Sequence, residues 1–442
     1  MTHTLDAELL GAVSRSIEAQ LGLHFPPERW ADLELGLRGA ATELGFECVE
    51  KCARKLVLAK LDRAQVDSLA AHLTIGETYF FRDPAAFEIL ASQIFPALAQ
   101  ERRSRAKRLR IWSAGCCTGE EPYSIAIALR RAIPDLDDWR VTILATDINS
   151  RFLRKAVAGV YGPWSFRGVS DETRSTYFRR TPEGRFKILP AIRKMVTFAC
   201  LNLVEDVYPA LANNTTAMDL IFCRNVLMYF SREQARKVAA NFRRALVDGG
   251  RLVVSATEAS QEVFGQFVSA GIPDIALYRK TAPAPSPAMS PPPPVPLPAR
   301  LPEPAPLPPI ARADHAADAR RLANEGDLAA ALAACDRALA ADKLVAAHHY
   351  LRGVILQEQG ALDEAVAALQ RALFLDPGFV VAHFALGHLV LRQGRSRGAA
   401  RGFANARALL QKCAPEAVLP ESDGITAGRL LAILTSMEEA LA

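Results

Sequence analysis

Leu109-Arg-Ile-Trp-Ser-Ala-Gly-Cys-Cys-Thr-Gly-Glu-Glu-Pro-Tyr-Ser124 reads as an apolar strand that breaks at a glycine-bearing turn and runs on into a helix. Gly115 and Gly119 permit a tight turn and let a ligand come close to the backbone. A phosphate-binding turn would face its anion with bare helix amides. Here Glu120 and Glu121 stand at the helix start and would repel a phosphate. The turn therefore suits a ligand with ammonium or sulfonium charge. The helix dipole also favours acidic residues in a first turn, which leaves a purely local reading open.

Outward from this turn the pattern repeats. Val141-Thr-Ile-Leu-Ala-Thr, Asp219-Leu-Ile-Phe-Cys and Arg251-Leu-Val-Val-Ser are further short apolar strands, and helical stretches such as 123–131 and 232–246 separate them. Such alternation predicts an open, mostly parallel α/β sheet with ligands at the carboxyl ends of its strands. The second strand closes on Asp147, where a carboxylate can accept hydrogen bonds from ribose hydroxyls. Together with the Gly-Glu-Glu turn it outlines an adenosyl pocket, the other reading of Asp147 being a helix cap. Residues 1 to about 75 are helical by pattern, and Lys51, Arg54, Lys55, Lys60 and Arg63 spread positive charge over one probable helix. That face could dock an acidic partner helix or simply be solvated.

The composition changes near residue 281. Fourteen prolines fall within residues 281–310, a density that favours an extended spacer over helix or sheet. Beyond it Gly326, Gly360 and Gly394 recur every 34 residues, as do Ala331, Ala365 and Ala399, and Asp342 with Asp376. A helix–turn–helix period of 34 resembles the tetratricopeptide repeat, TPR, which builds a solenoid with a concave protein-binding face. His349 and His383 share the interval and read as repeated packing or surface positions. The proline tract predicts that the repeats stay apart from the domain before it.

Four blocks in order resemble the CheR family of chemotaxis receptor methyltransferases. They are Thr78-Tyr-Phe-Phe-Arg-Asp, Ser113 to Ser124, Leu201-Asn-Leu, and Phe222-Cys-Arg-Asn-Val-Leu-Met-Tyr-Phe. The resemblance spans roughly residues 5–280. It implies a Rossmann-like S-adenosylmethionine-dependent methyltransferase fold at 79–280, preceded by a helical domain at 1–78, with a small β-subdomain near 163–200. The proline-rich linker would cover 281–311 and an all-α TPR-like solenoid 312–442. Carried over by motif, Thr78, Arg82, Glu120, Glu121, Asp147, Asn202, Leu203, Arg224 and Asn225 would bind the cofactor. Glu120 and Glu121 could exchange roles. Arg82 and Tyr229 would stand near the transferred methyl. Many members carry Asn where this chain has Gly76, so one cofactor contact is expected to be lost or replaced.

The implied reaction converts glutamate side chains of chemoreceptor cytoplasmic helices into methyl esters, with S-adenosylhomocysteine as the product. A carboxylate is ionised at neutral pH and needs no general base, in keeping with the lack of a Ser/His or Cys/His pairing. Some relatives dock the β-subdomain on a receptor C-terminal peptide. The run Phe178 to Ile188, with a tight turn at Pro182-Glu-Gly184, is shorter than in those members and predicts no such tether.

Composition limits the alternatives. With 53 Lys+Arg against 48 Asp+Glu the charge is near balance, which argues against nucleic acid as a partner. A second basic cluster, Arg102 to Arg110, is expected to coat the approach to the first strand. No stretch has the roughly 18 apolar residues of a membrane span, and the start lacks the pattern of a signal peptide. Eight cysteines without paired CxxC spacing point to reduced thiols, no structural metal and a cytoplasmic protein. The rival to an enzyme is a scaffold that works through its TPR repeats and an unidentified protein partner.

Overall fold

The computed structural model describes residues 5–103, 107–210, 213–281, 314–393, 395–422 and 424–441. All but the first residue of the expected linker, Arg105 of the second basic cluster and Gly394 of the repeat lie outside them.

Four helices open the chain: α1 Ala7–Leu21, α2 Trp30–Glu43, α3 Val49–Leu58 and α4 Arg63–Leu73. Asp6 caps α1 by accepting from the Leu9 amide at 2.7 Å, and Asp62 with Gln65 forms a reciprocal capping box on α4. Val13, Ile17, Leu33, Leu37, Leu56 and Leu69 bury the facing stripes. The cations of residues 51–63 do not make a free basic face. Lys51 pairs with Glu47, Arg54 with Glu50 at 2.8 Å and Arg63 with Asp67 at 3.5 Å, and α3 ends before Lys60. Their own helical neighbours take up most of that charge.

α5 Pro84–Ile89 runs through one π-turn into α6 Phe95–Arg103. Among the described residues ten strands follow in chain order: β1 Arg108–Ala114, β2 Arg140–Asp147, β3 Val160–Tyr161, β4 Phe178–Arg180 and β5 Phe186–Ile188, then β6 Val196–Cys200, β7 Met218–Phe222, β8 Leu246–Val254, β9 Val268–Ser269 and β10 Ala276–Arg279. Seven form one sheet in the order β6-β2-β1-β7-β8-β10-β9, its first five strands mutually parallel and β10 antiparallel to both of its neighbours. α7 Glu120–Ala132, α8 Ser150–Ala158 and α11 Arg232–Ala245 cover the faces. Successive residues of a strand point to opposite faces. Ile111, Ile143 and Leu220 accordingly enter one core, while their neighbours Trp112, Leu144 and Ile221 enter the other. Burial on both faces explains why these strands read as unbroken apolar runs.

β3, β5 and β4 make a separate three-stranded sheet flanked by α9 Asp171–Tyr177 and α10 Pro190–Arg193. Its β4–β5 turn is tight: the Thr181 amide donates to the Arg185 carbonyl at 2.8 Å, and Gly184 takes φ +74°. The short α12 Gln261–Phe264 leads into β9.

Three helix pairs follow: α13 His315–Asn324 with α14 Leu328–Ala341, α15 Ala346–Gln359 with α16 Leu362–Leu375, and α17 Val380–Arg392 with α18 Ser396–Leu410. α19 Ala427–Leu441 ends the stack. Gly326 and Gly360 turn the first two pairs at φ +84° and +77°, a left-handed region that favours glycine. Gly353 and Gly387 let paired helices touch, since an added Cβ would lie 2.8 Å from Leu369 and 2.7 Å from Phe403. His349 and His383 each bond a backbone carbonyl six residues back, at 2.9 and 3.0 Å, which is a repeated packing role.

The expectation that the repeats stay apart is corrected. Glu358 at the end of α15 pairs with Arg110 and, at 3.4 Å, with Arg108 at the amino end of β1. Gly360 lies against the Arg140 guanidinium, and Gly326 lies near Val247. α19 packs on β6 and α8. A proline tract fixes the stiffness of a tether and says nothing about surfaces that meet beyond it. The second basic cluster is consumed in the same region. Arg102 pairs with Asp219 at 2.6 Å, Arg103 with Asp135 at 3.0 Å, and Lys107 with Asp135 and Asp138 at 3.3 Å each.

Candidate functional site

A cavity of about 110 Å³ opens where the parallel strands end. β1 delivers Gly115 to Cys117, β2 delivers Asp147, β6 leads into Leu201 to Leu203, and β7 leads into Arg224 to Val226. Thr78, Arg82, Glu121, Asp147, Asn202, Leu203, Arg224, Asn225 and Tyr229 all line it. Glu120 does not. Its buried carboxylate turns away from the cavity to accept from Thr118 at 2.6 Å and Ser165 at 3.0 Å, tying the helix start to the chain near the small sheet.

The acidic groups are buried. Asp147 Oδ2 accepts the Cys117 amide and Oδ1 the Asn149 amide, both at 2.8 Å, so the carboxylate is oriented by the turn it faces. Burial nevertheless pushes its pKa up to about 6. Glu121 accepts from the Ser113 hydroxyl at 2.8 Å; burial raises it too, opposed by the charge of Arg224. Arg224 donates to the Arg82 carbonyl and to Asp83, each at 2.9 Å. Its Nε is buried with no hydrogen-bond partner among the described residues. Arg82 is half-exposed, donates to the Glu77 carbonyl at 2.8 Å and lies 6.0 Å from the Tyr79 ring. Asn202 donates to the Gln20 carbonyl at 2.7 Å. The Tyr229 carbonyl accepts the His24 amide at 2.7 Å.

Several lining groups escaped the sequence reading. The helical domain supplies Leu21, Leu23 and Leu73 to Ile75, so it forms a wall of the site. Gly22, at φ +79°, brings that wall in, and a Cβ there would sit 2.5 Å from Val204. At Gly76 a Cβ would meet the Phe152 ring at 2.7 Å. Phe152 also lines the cavity, so an apolar ring from α8 stands beside Gly76, the position where the family resemblance leads one to expect Asn. Glu258 was missed altogether. Its carboxylate accepts the amides of Asn225 and Val226, both at 2.7 Å, and of Met228 at 3.2 Å. It thereby holds Asn225 in a left-handed conformation, φ +56°. The signal was present as Ser255-x-x-Glu258, a capping-box spacing.

These residues fit S-adenosylmethionine. Buried carboxylates answer its ammonium and sulfonium charges, and an orphaned guanidinium nitrogen stands ready for an acceptor. The turn must also stay bare, because a Cβ on Gly115 would lie 2.4 Å from Val226.

Residues 76–273 match the family described as CheR methyltransferase, SAM binding domain, and residues 353–394 match a TPR repeat. Chemotaxis protein methyltransferase 1 of Pseudomonas aeruginosa is 39% identical over 191 residues, covering 42% of this chain and 67% of that protein. The chemotaxis protein methyltransferase of Vibrio parahaemolyticus is 33% identical over 250 residues, covering 56% of this chain and 87% of that protein. A third relative, the probable biofilm formation methyltransferase WspC of Pseudomonas aeruginosa, is 35% identical over 221 residues and matches half of each chain.

Proposed function

The chain belongs to the CheR methyltransferase family, and from that premise we propose that it esterifies glutamate side chains on the cytoplasmic helices of chemoreceptor-like signalling proteins. The observation that carries this reading is the convergence of Arg82 and Tyr229 with the buried acidic groups on one cavity. S-adenosylmethionine supplies a sulfonium-bound methyl group and leaves as S-adenosylhomocysteine. The residues of the chain bind and orient. Asp147 takes the ribose hydroxyls, Asn202 and Leu203 flank the adenine, and Glu121 and Arg224 meet the amino-acid part. Thr78 and Asn225 complete the cradle.

The incoming glutamate is an oxygen nucleophile already ionised near neutral pH. Its O–C bond forms as the S–C bond breaks, and no proton moves. Half-exposed Arg82 attracts and aims that carboxylate, and Tyr229 offers a hydroxyl donor. Holding the two reactants in line provides the acceleration. Arg82→Ala then lowers turnover by about 100-fold or more at saturating cofactor, with folding unchanged.

No helix among the described residues is long and apolar enough to cross a membrane. We place the enzyme in the cytoplasm, where receptor helices are reached. The Thr181 amide is spent on the Arg185 carbonyl within the β4–β5 turn, and we take recruitment to run without a receptor C-terminal peptide, which the edge strand β4 would otherwise have to accept. The TPR repeats take a protein partner, and the name of the biofilm relative widens the candidate pathways beyond motility. Incubation with labelled S-adenosylmethionine and candidate receptors, followed by mapping of modified glutamates, tests the reading. Label on free metabolites and none on receptors would reject it.

A further inference from the structure

The segment after β6 has two sides. Leu201 lines the cofactor cavity and also a second cavity, of about 80 Å³, between the sheet and the repeat domain. That second cavity is walled by Leu144 and Phe198 from the sheet and by Phe384, Ile425 and Ile433 from the repeats. A polar chain runs along the same wall. Asn202, which faces the cofactor cavity, donates from Nδ2 to Glu205 Oε1 at 3.2 Å. Glu205 Oε2 lies 3.5 Å from Nε of Arg429, a residue of α19. Arg429 is mostly buried and its Nη2 has no hydrogen-bond partner among the described residues, so Glu205 is the carboxylate that compensates it there.

We propose that Arg429 is a positioning residue for the cofactor site, acting through Glu205 on Asn202, and that the repeat domain thereby sets the affinity for S-adenosylmethionine. Asn202 has two acceptors, the Gln20 carbonyl and Glu205, which fix its amide plane and with it the loop from 201 to 203. When α19 is seated, Arg429 holds the Glu205 carboxylate in the pose that receives Asn202. When a partner lifts α19, the carboxylate is free to swing to solvent and the adenine wall loses an anchor. A ligand that prefers one of two states shifts the other site by its differential affinity. A protein bound to the repeats would in this way raise or lower methylation without touching the cavity.

The inference rests on the cofactor site described above, and the experiment separates the two. Binding of S-adenosylmethionine to the full chain is measured by calorimetry for the wild type, Arg429→Gln, Arg429→Lys and Glu205→Gln. Glu205→Gln keeps an acceptor for Asn202 and removes the charge that Arg429 holds. Each Gln variant weakens binding by roughly 3- to 10-fold, the double variant is no worse than either single one, and Arg429→Lys recovers most of the loss. Amide exchange in residues 201–205 quickens in Arg429→Gln while the rest of the sheet stays protected. In steady state the change falls on KM for the cofactor and leaves kcat near its wild-type value. Tight wild-type binding that both Gln variants retain within twofold overturns this inference alone. A wild-type chain that binds no S-adenosylmethionine overturns the cofactor reading and this inference with it.

Discussion

The two ends of the central sheet handle buried charge in opposite ways. At the carboxyl ends Asp147 and Glu121 are buried with their pKa values raised by desolvation, and Arg224 keeps an unpaired nitrogen. At the amino ends Arg102 pairs with Asp219, though its Nε also lacks a partner among the described residues, and Arg108 and Arg110 meet Glu358 of the repeats. Arginines that meet a carboxylate of the repeats make a docking face. Polar groups held out of water with unspent bonding capacity make a ligand site. One end seats the repeat domain and the other seats a cofactor.

The comparison breaks most readily at the docking end. Arg110 is buried and donates to the carbonyls of Thr216 and Asn214 at 3.1 and 3.0 Å as well as pairing with Glu358. Arg110→Ala leaves those carbonyls unmatched and Glu358 with only the longer Arg108 contact, and costs about 3 kcal/mol in denaturant unfolding. A loss below about 1 kcal/mol would mean that the repeats do not rest there.

At the ligand end the stability change is small, because relief of a buried charge and loss of two amide bonds oppose each other. Asp147→Ala removes a carboxylate that burial disfavours, so the fold persists, while S-adenosylmethionine binding weakens by about 30- to 100-fold, or 2–3 kcal/mol. Equal affinity in a folded variant would place the ribose elsewhere.

pH sharpens the contrast. The folded-state pKa of Asp147, about 6, lies above the ordinary value for aspartate, so its charge costs stability above pH 6 and that cost is relieved as pH falls toward 4. In the role proposed for Asp147, ribose hydroxyls would donate to the charged form, so cofactor affinity would move the other way and drop as pH falls through 6. About tenfold weaker binding at pH 5 than at pH 7.5 is expected by calorimetry, with Asp147→Asn flattening the profile. A flat wild-type profile would show that Asp147 titrates in the usual range.

How much of this was legible depended on the distance over which each residue acts. The alternation of Ile111 and Trp112, or Ile143 and Leu144, is local, and it announced buried parallel strands directly. The Gly-Glu-Glu turn and Asp147 fall at strand ends, where the fold class itself gathers ligands. Leu21, Leu23 and Ile75 act only after a separate helical domain folds back over the cavity, and no spacing along the chain records that. The Arg110–Glu358 pair joins positions 248 residues apart across a proline tract. The positive runs at 51–63 and 102–110 were visible as charge, but their acidic partners range from one helical turn away, as Glu50 is for Arg54, to Asp219 and Glu358, which only the tertiary fold brings near.

Glu258 is the subtler case and sets the finest test. Its carboxylate gathers the amides of Asn225, Val226 and Met228 and shapes a loop on which Arg224 and Asn225 ride, without itself lining the cavity. Glu258→Gln keeps the size and one acceptor oxygen but loses the charge that strengthens those bonds. The Asn225 backbone, at φ +56°, would then relax toward a commoner conformation and carry its side chain off the ligand. The expected loss is about 1 kcal/mol in kcat/KM, roughly fivefold, with a smaller change in thermal stability. Because the loop carries Arg224 and Asn225, proposed above to meet the cofactor, the loss falls mainly on its KM. A variant with wild-type KM and lowered Tm would assign Glu258 to folding alone and return the loop geometry to the strain of its own backbone.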